Sequence, residues 1–209
     1  MSLPENSPPT GNLIAQLIDE LSTSDARVRE RAAAEMFALG FARAQQCVSG
    51  WLADPDLADC FIFGEYGKQG RFPRTTVGIA IEPSRFSRMR AANGSPNLAN
   101  VPPDLDAEEF EINVGDWARV DILTTRNRNA DGAIARFLQK HGEGIQQIEL
   151  NVRNVDRAAQ LLRDRFGLAP VYPQAREGAD GARVNFFLVS AQVGGKLLIE
   201  LVEESFAHA

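Results

Sequence analysis

Acidic side chains set singly among aliphatic ones are the most chemically suggestive feature of this chain. Glu200 stands between Ile199 and Leu201 in KLLIELVE, and Asp121 between Val120 and Ile122 in ARVDILTT. An ionised carboxylate in such company needs a cation, hydrogen-bond donors or a proton. Strand alternation sends successive side chains to opposite faces, and it sorts further residues in the same way. In EEFEINV, Glu109, Glu111 and Asn113 oppose Phe110, Ile112 and Val114. In IQQIELNV, Gln147, Glu149 and Asn151 oppose Ile148, Leu150 and Val152. With each apolar face packed on helices, the polar sets line one cleft. The acidic run Asp104, Asp106, Glu108 and Glu109 ahead of Glu111 reads equally well as a solvated face.

What is scarce narrows the chemistry further. The 209 residues include two histidines, His141 and His208, and two cysteines, Cys47 and Cys60. A His₃ zinc centre and a Cys₄ site are therefore excluded, and a disulfide-rich scaffold with them. Both histidines read as exposed residues, and the two thiols as buried small hydrophobes. Twenty-two Lys and Arg against 28 Asp and Glu leave a net charge of −6, which disfavours nucleic acid and anionic membrane. No apolar run approaches the ~20 residues that cross a bilayer. The N-terminus carries no basic segment leading into an apolar one, and the cytoplasm is the expected compartment.

Three stretches must position these residues. Residues 1–11, with Pro4, Pro8, Pro9 and Gly11, read as a flexible lead-in. Residues 12–70 read as a helical extension: Leu13, Ile14, Leu17, Ile18 and Leu21 make one apolar stripe, and Val28, Ala32, Met36 and Leu39 continue it. Ser22-Thr23-Ser24-Asp25 re-caps the second helix, and Gly40 offers a stop or a weak point. The hairpin resembles a single HEAT-type repeat, which cannot bury its own face alone. From residue 71 to 209 the order strand, helix, strands occurs twice, over about 74–125 and 145–204. Thr76-Val-Gly-Ile-Ala-Ile corresponds to Gln147-Ile-Glu-Leu-Asn-Val, an internal duplication of a βαβββ-like unit. The expected fold class is α+β.

Over residues 118–203 the chain resembles the vicinal-oxygen-chelate superfamily, which includes glyoxalase I and the extradiol dioxygenases, with the nearest likeness to the methylmalonyl-CoA epimerases. DGAIARFLQKHGEGIQQIELNVRNVDRA, GARVNFF and GKLLIELVE carry the likeness. The resemblance implies tandem βαβββ modules around a cleft, with a divalent metal on one side chain from each of four strands. Its two histidine positions fall at Thr76 and Gln147, its acidic or amide ligand at Asp121 and its last glutamate at Glu200. With both imidazoles replaced, Asp121, Gln147 and Glu200 offer oxygen donors that suit Mg²⁺, Mn²⁺ or Ca²⁺ over Zn²⁺ or Fe²⁺, or hold no metal at all. An extradiol dioxygenase, which needs two histidines on iron, is excluded.

In the resembling epimerases two bases flank an acidified carbon, and these roles match Glu111 and Glu200. The resemblance also places Arg183 and Asn185 in the cleft beside Glu149, as substrate-binding residues. Arg183 then holds a substrate carboxylate or makes a structural ion pair with Glu200 or Glu149. The expectation is an isomerase or lyase that transfers a proton next to a carbonyl, on a small molecule such as an acyl-CoA, with a homodimer as its assembly. Two other classes compete with it. One is a non-catalytic binding module with a degenerate metal site; the other is an interaction protein that uses its HEAT-like helices.

Overall fold

The computed structural model describes residues 10–190 and 195–204. His208 and nearly all of the lead-in lie outside the described residues; Thr10 and Gly11 already belong to the first helix. In chain order the main elements are α1 (Thr10–Glu20), α2 (Ala26–Leu52), α3 (Pro55–Ala58), β1 (Phe63–Glu65), β2 (Arg71–Pro73), β3 (Thr75–Ala80), α4 (Pro83–Ala92), β4 (Ala107–Gly115), β5 (Ala118–Thr125), α5 (Ala133–His141), β6 (Gly144–Asn151), α6 (Val155–Phe166), β7 (Arg176–Glu177), β8 (Arg183–Ser190) and β9 (Lys196–Glu203). Among the described residues no helix is long and apolar enough to cross a membrane.

Seven strands form one sheet in the order β4-β5-β3-β6-β9-β8-β7. Its centre records the duplication. β3 runs parallel to β5, β6 runs parallel to β9, and β3 and β6 meet antiparallel. Thr76 pairs with Glu149 and Gly78 with Gln147, so a local two-fold exchanges Thr76 with Gln147 and Gly78 with Glu149. The outer pairings obey the same relation, because Asp121 lies beside Gly78 and Glu200 beside Glu149. Thr76, Asp121, Gln147 and Glu200 are thus equivalent in pairs, as the correspondence between the two halves of the sequence requires.

The second module carries all four strands, β6 to β9, and the first carries three. Where a further strand would flank β4, the chain runs through Pro96, Pro102 and Pro103. Proline has no N–H to give to a ladder. A single bond survives there, from Ala99 N–H to the Glu109 carbonyl at 3.1 Å.

Helices cover one face of the sheet. Asp25 caps α2 by accepting from Arg27 N–H. Ala32, Ala33, Met36, Phe37, Phe41, Ala44 and Val48 then form a buried stripe that joins Val77, Ile79, Val120, Ile122, Ile148 and Leu150 in one core. The same core takes the buried residues of α1, whose stripe is Ile14, Leu17, Ile18 and Leu21. The apolar face of the helical hairpin is therefore spent within this chain. Gly40 does not end the helix: α2 runs on to Leu52, and Gly40 sits where the helix crosses β3. The small hairpin β1–β2 begins within the stretch that reads as helical and ends just past it, and it fastens α2 at its side. Phe72 of β2 meets Phe41 edge-on with centroids 4.8 Å apart, and Tyr66 between the strands packs on Phe37 and Phe41. The Tyr66 hydroxyl donates to the Trp117 carbonyl at 2.7 Å and accepts from Thr75 N–H, tying the hairpin to the start of β3.

The other face is open to a cavity. Side chains from β4 near one edge and β8 near the other line the same space, so the sheet curls around it. α5 packs over one end of this face: Ile134 and Leu138 join Ala80, Val101, Ala107 and Leu123 in a second, smaller apolar cluster.

Candidate active site

The cavity measures about 550 Å³. Its walls are apolar where Leu123, Ile134, Phe186, Leu188 and Leu198 face it, and its floor is acidic. Pleating explains the acids. Glu109 and Glu111 alternate with Phe110 in β4, Asp121 with Val120 and Ile122 in β5, Glu149 with Ile148 and Leu150 in β6, and Glu200 with Ile199 and Leu201 in β9. The apolar neighbour of each acid goes to the helix-covered core. Register then opposes Glu111 to Asp121 across β4 and β5, and Glu149 to Glu200 across β6 and β9. Two acidic banks, one per module, flank the central strands.

Asp121 is 4% exposed and Glu200 is 7% exposed. Burial, and after it the charges of Glu109, Glu149, Glu111 and Glu200, hold the Asp121 carboxyl well above the usual carboxylate range. Burial with Glu149 and Glu109 does the same to Glu200. Burial pushes Glu109 up to about 8, helped by Glu149, Asp180 and Glu111. Burial also pushes Glu149 up to about 7, against the opposing pull of its hydrogen bond from Gln147. Gln147 joins the second bank: its Nε2 donates to Glu200 Oε2 at 2.6 Å and to Glu149 Oε1 at 3.0 Å. Glu111 is half-exposed at the mouth, 3.3 Å from the Arg119 guanidinium. Thr76 is buried on the cavity face between the two banks.

These raised proton affinities make stability depend on pH. In the unfolded chain the carboxyls ionise near 4.5, whereas in the folded protein Glu149 and Glu109 keep their protons to about 7 and about 8. The native state binds more protons over that window, so stability falls as pH rises through it. The melting temperature should decrease steadily from pH 5 to pH 8, and Glu109→Gln should flatten the slope. A melting temperature that rises over this interval would contradict the arrangement.

Two candidate cleft residues lie elsewhere. Arg183 and Asn185 belong to the helix-covered face of β8 with Phe187 and Val189, because Phe186 pairs with Glu200 and Val184 with Val202. Arg183 bonds Asp156 at 2.5 Å and Glu203 at 3.3 Å, not Glu200 or Glu149. Asn185 is 2% exposed and donates to the Tyr172 carbonyl. Alternation could not choose between the faces of this strand, since both carry large apolar groups. Phe186 and Leu188 are the side chains that β8 presents to the cavity.

Two further residues belong to the floor. Alternation already put Glu109 on the cleft face with Glu111, although the acidic run around it kept it from standing out as a site residue. Gln146 is the extra residue of a bulge: Gly78 pairs with Gln147 and Ile79 with Ile145, so Gln146 and Gln147 both line the cavity. Period-two counting cannot foresee a bulge.

The side chains at the four ligand positions do not fit a divalent ion as they are placed. Gln147 turns its amide N–H groups, not its oxygen, toward Glu149 and Glu200. Among the described residues no three His, Cys, Asp or Glu side chains converge on a point where an ion would sit.

No family model and no curated protein matches the chain. Solved structures do match it. The methylmalonyl-CoA epimerase of Mycobacterium tuberculosis is 29% identical, over 61% of this chain and 84% of its own, with a TM-score of 0.49. A hypothetical protein from Bacillus halodurans is 23% identical, over 62% of this chain and 91% of its own, with a TM-score of 0.51. A variant of Streptomyces coelicolor methylmalonyl-CoA epimerase in complex with 2-nitronate-propionyl-CoA is 23% identical, over 64% and 95% respectively, with a TM-score of 0.50. The chain shares its fold with the last two of these structures. At these identities the likeness is one of fold.

Proposed function

We propose that the chain is an isomerase-type enzyme that moves a proton on the carbon next to the carbonyl of an acyl-CoA thioester. The observation that carries this reading is the pair of acidic banks, one from each module, on the floor of a single apolar-walled cavity. Inverting a carbon requires a base on each side of it, and opposed carboxyls from two related modules supply that pairing. Glu111 is the base of the first bank and Glu200 that of the second. A buried carboxyl that binds its proton tightly is a strong base once ionised and a ready donor once protonated.

The enolate oxygen needs a positive group, and Arg119 lies at the cavity beside Glu111. A carbonyl oxygen on Arg119 would bring the adjacent carbon to Glu111. Gln147 positions Glu200 and Glu149 through its two hydrogen bonds. The acyl-CoA substrate class is suggested by the similarly folded epimerase, which was solved with 2-nitronate-propionyl-CoA.

Solvent exchange tests this reading. In D₂O the protein should catalyse uptake of deuterium at the α-carbon of propionyl-CoA, read by mass spectrometry. Binding without exchange would make the chain a binding module of the same fold and would overturn the enzymatic reading.

A further inference from the structure

Two buried acceptor oxygens on the cavity floor have no hydrogen-bond partner: Asp121 Oδ1 and Gln146 Oε1. Asp121 is 4% and Gln146 8% exposed, and both line the cavity. A buried acceptor left unpaired is costly, so a ligand that supplies donors there gains what the empty floor loses. The surrounding acids point the same way. Glu109, Glu111, Asp121, Glu149 and Glu200 line the cavity, and each arginine lining it is already paired: Arg119 with Glu111, Arg136 with Asp131 and Arg176 with Asp104. A carboxylate brought to this floor would meet two bare acceptors and a ring of acids whose ionisation it would oppose, with no free cation among the described lining residues. An ammonium group would meet acceptors on every side.

We infer that the cavity takes a ligand whose buried end is an organic ammonium carried on a short apolar stem, seated between Asp121 and Gln146. The apolar walls at Leu123, Phe186, Leu188 and Leu198 receive the stem. Applied to the proton-transfer reading, on which this extension rests only for the identity of the substrate, it makes the acyl group an amine-bearing one. A malonyl-type acyl group with a free carboxylate is disfavoured on the same grounds.

Three probes of equal length that contain no coenzyme A test this: 4-phenylbutylamine, 4-phenylbutanol and 4-phenylbutyrate, titrated into the full chain by calorimetry. The amine should bind at least about tenfold more tightly than the alcohol, and the carboxylate most weakly. Asp121→Asn should remove most of the preference for the amine over the alcohol. Carboxylate binding equal to or tighter than that of the amine would overturn the inference, as would no binding of any probe. A preference for the amine that survives Asp121→Asn would overturn the placement at this floor. Because the probes read binding alone, failure here is separable from failure of the deuterium-exchange experiment, which reads proton transfer on a thioester.

Discussion

Replacing Glu200 by glutamine should lower the rate of deuterium exchange into the thioester by about 10²–10⁴-fold, the usual contribution of one positioned acid–base group. The change is nearly isosteric and removes a buried carboxyl whose proton affinity is already raised, so the fold should tolerate it. Its neighbour Gln147 keeps Glu149 as a partner. The variant should therefore melt at or above the wild-type temperature and still bind substrate, which separates lost chemistry from lost structure. Glu111→Gln should reduce exchange comparably, because inversion needs both faces of the carbon. Undiminished exchange in Glu200→Gln, measured by mass spectrometry in D₂O, would remove Glu200 from the mechanism.

The largest expected effect on stability lies on the other side of the sheet. A Cβ placed on Gly40 would come within 2.6 Å of both methyls of Val77 and 3.0 Å of Ile148 Cδ1. Val77 and Ile148 are fully buried and β-branched, so neither can move aside cheaply. Gly40→Leu should cost about 3 kcal/mol or more by overpacking, and lower the melting temperature by roughly 6–12 °C for a chain of this size. Gly50 lies in the same helix, and a Cβ there would meet nothing within 4 Å. Gly50→Ala should therefore stabilise by about 1 kcal/mol through helix propensity alone. Thermal melts of the two variants distinguish close packing at one glycine from a general intolerance of change in α2. Equal effects would refute the account of Gly40.

The two substitutions also mark how far the sequence could be read. The acids were legible because each lies between aliphatic residues in a strand, and a period of two has only two phases. Once Ile199 and Leu201 must be buried, Glu200 has one direction left. The same logic placed Asp121, Glu149 and Glu111, and the repeat of strand, helix and strands paired Thr76 with Gln147 before any contact was known.

Other features depended on partners distant in the chain. Gly40 reads as a helix stop because its intrinsic preference is poor, yet the helix passes through it, since a close approach to β3 leaves no room for a side chain there. Arg183 and Asn185 were misplaced because both faces of β8 are apolar, and pairing with β9 is what settles which one meets the cavity. Gln146 enters the floor through a bulge set by how β6 pairs with β3, and the prolines before β4 cost the first module a strand. Which side chains share a face was written in the order of the residues, because it follows from local backbone periodicity. Which face meets which was fixed in three dimensions, because register, close approach and two-sided burial are properties of pairs of segments.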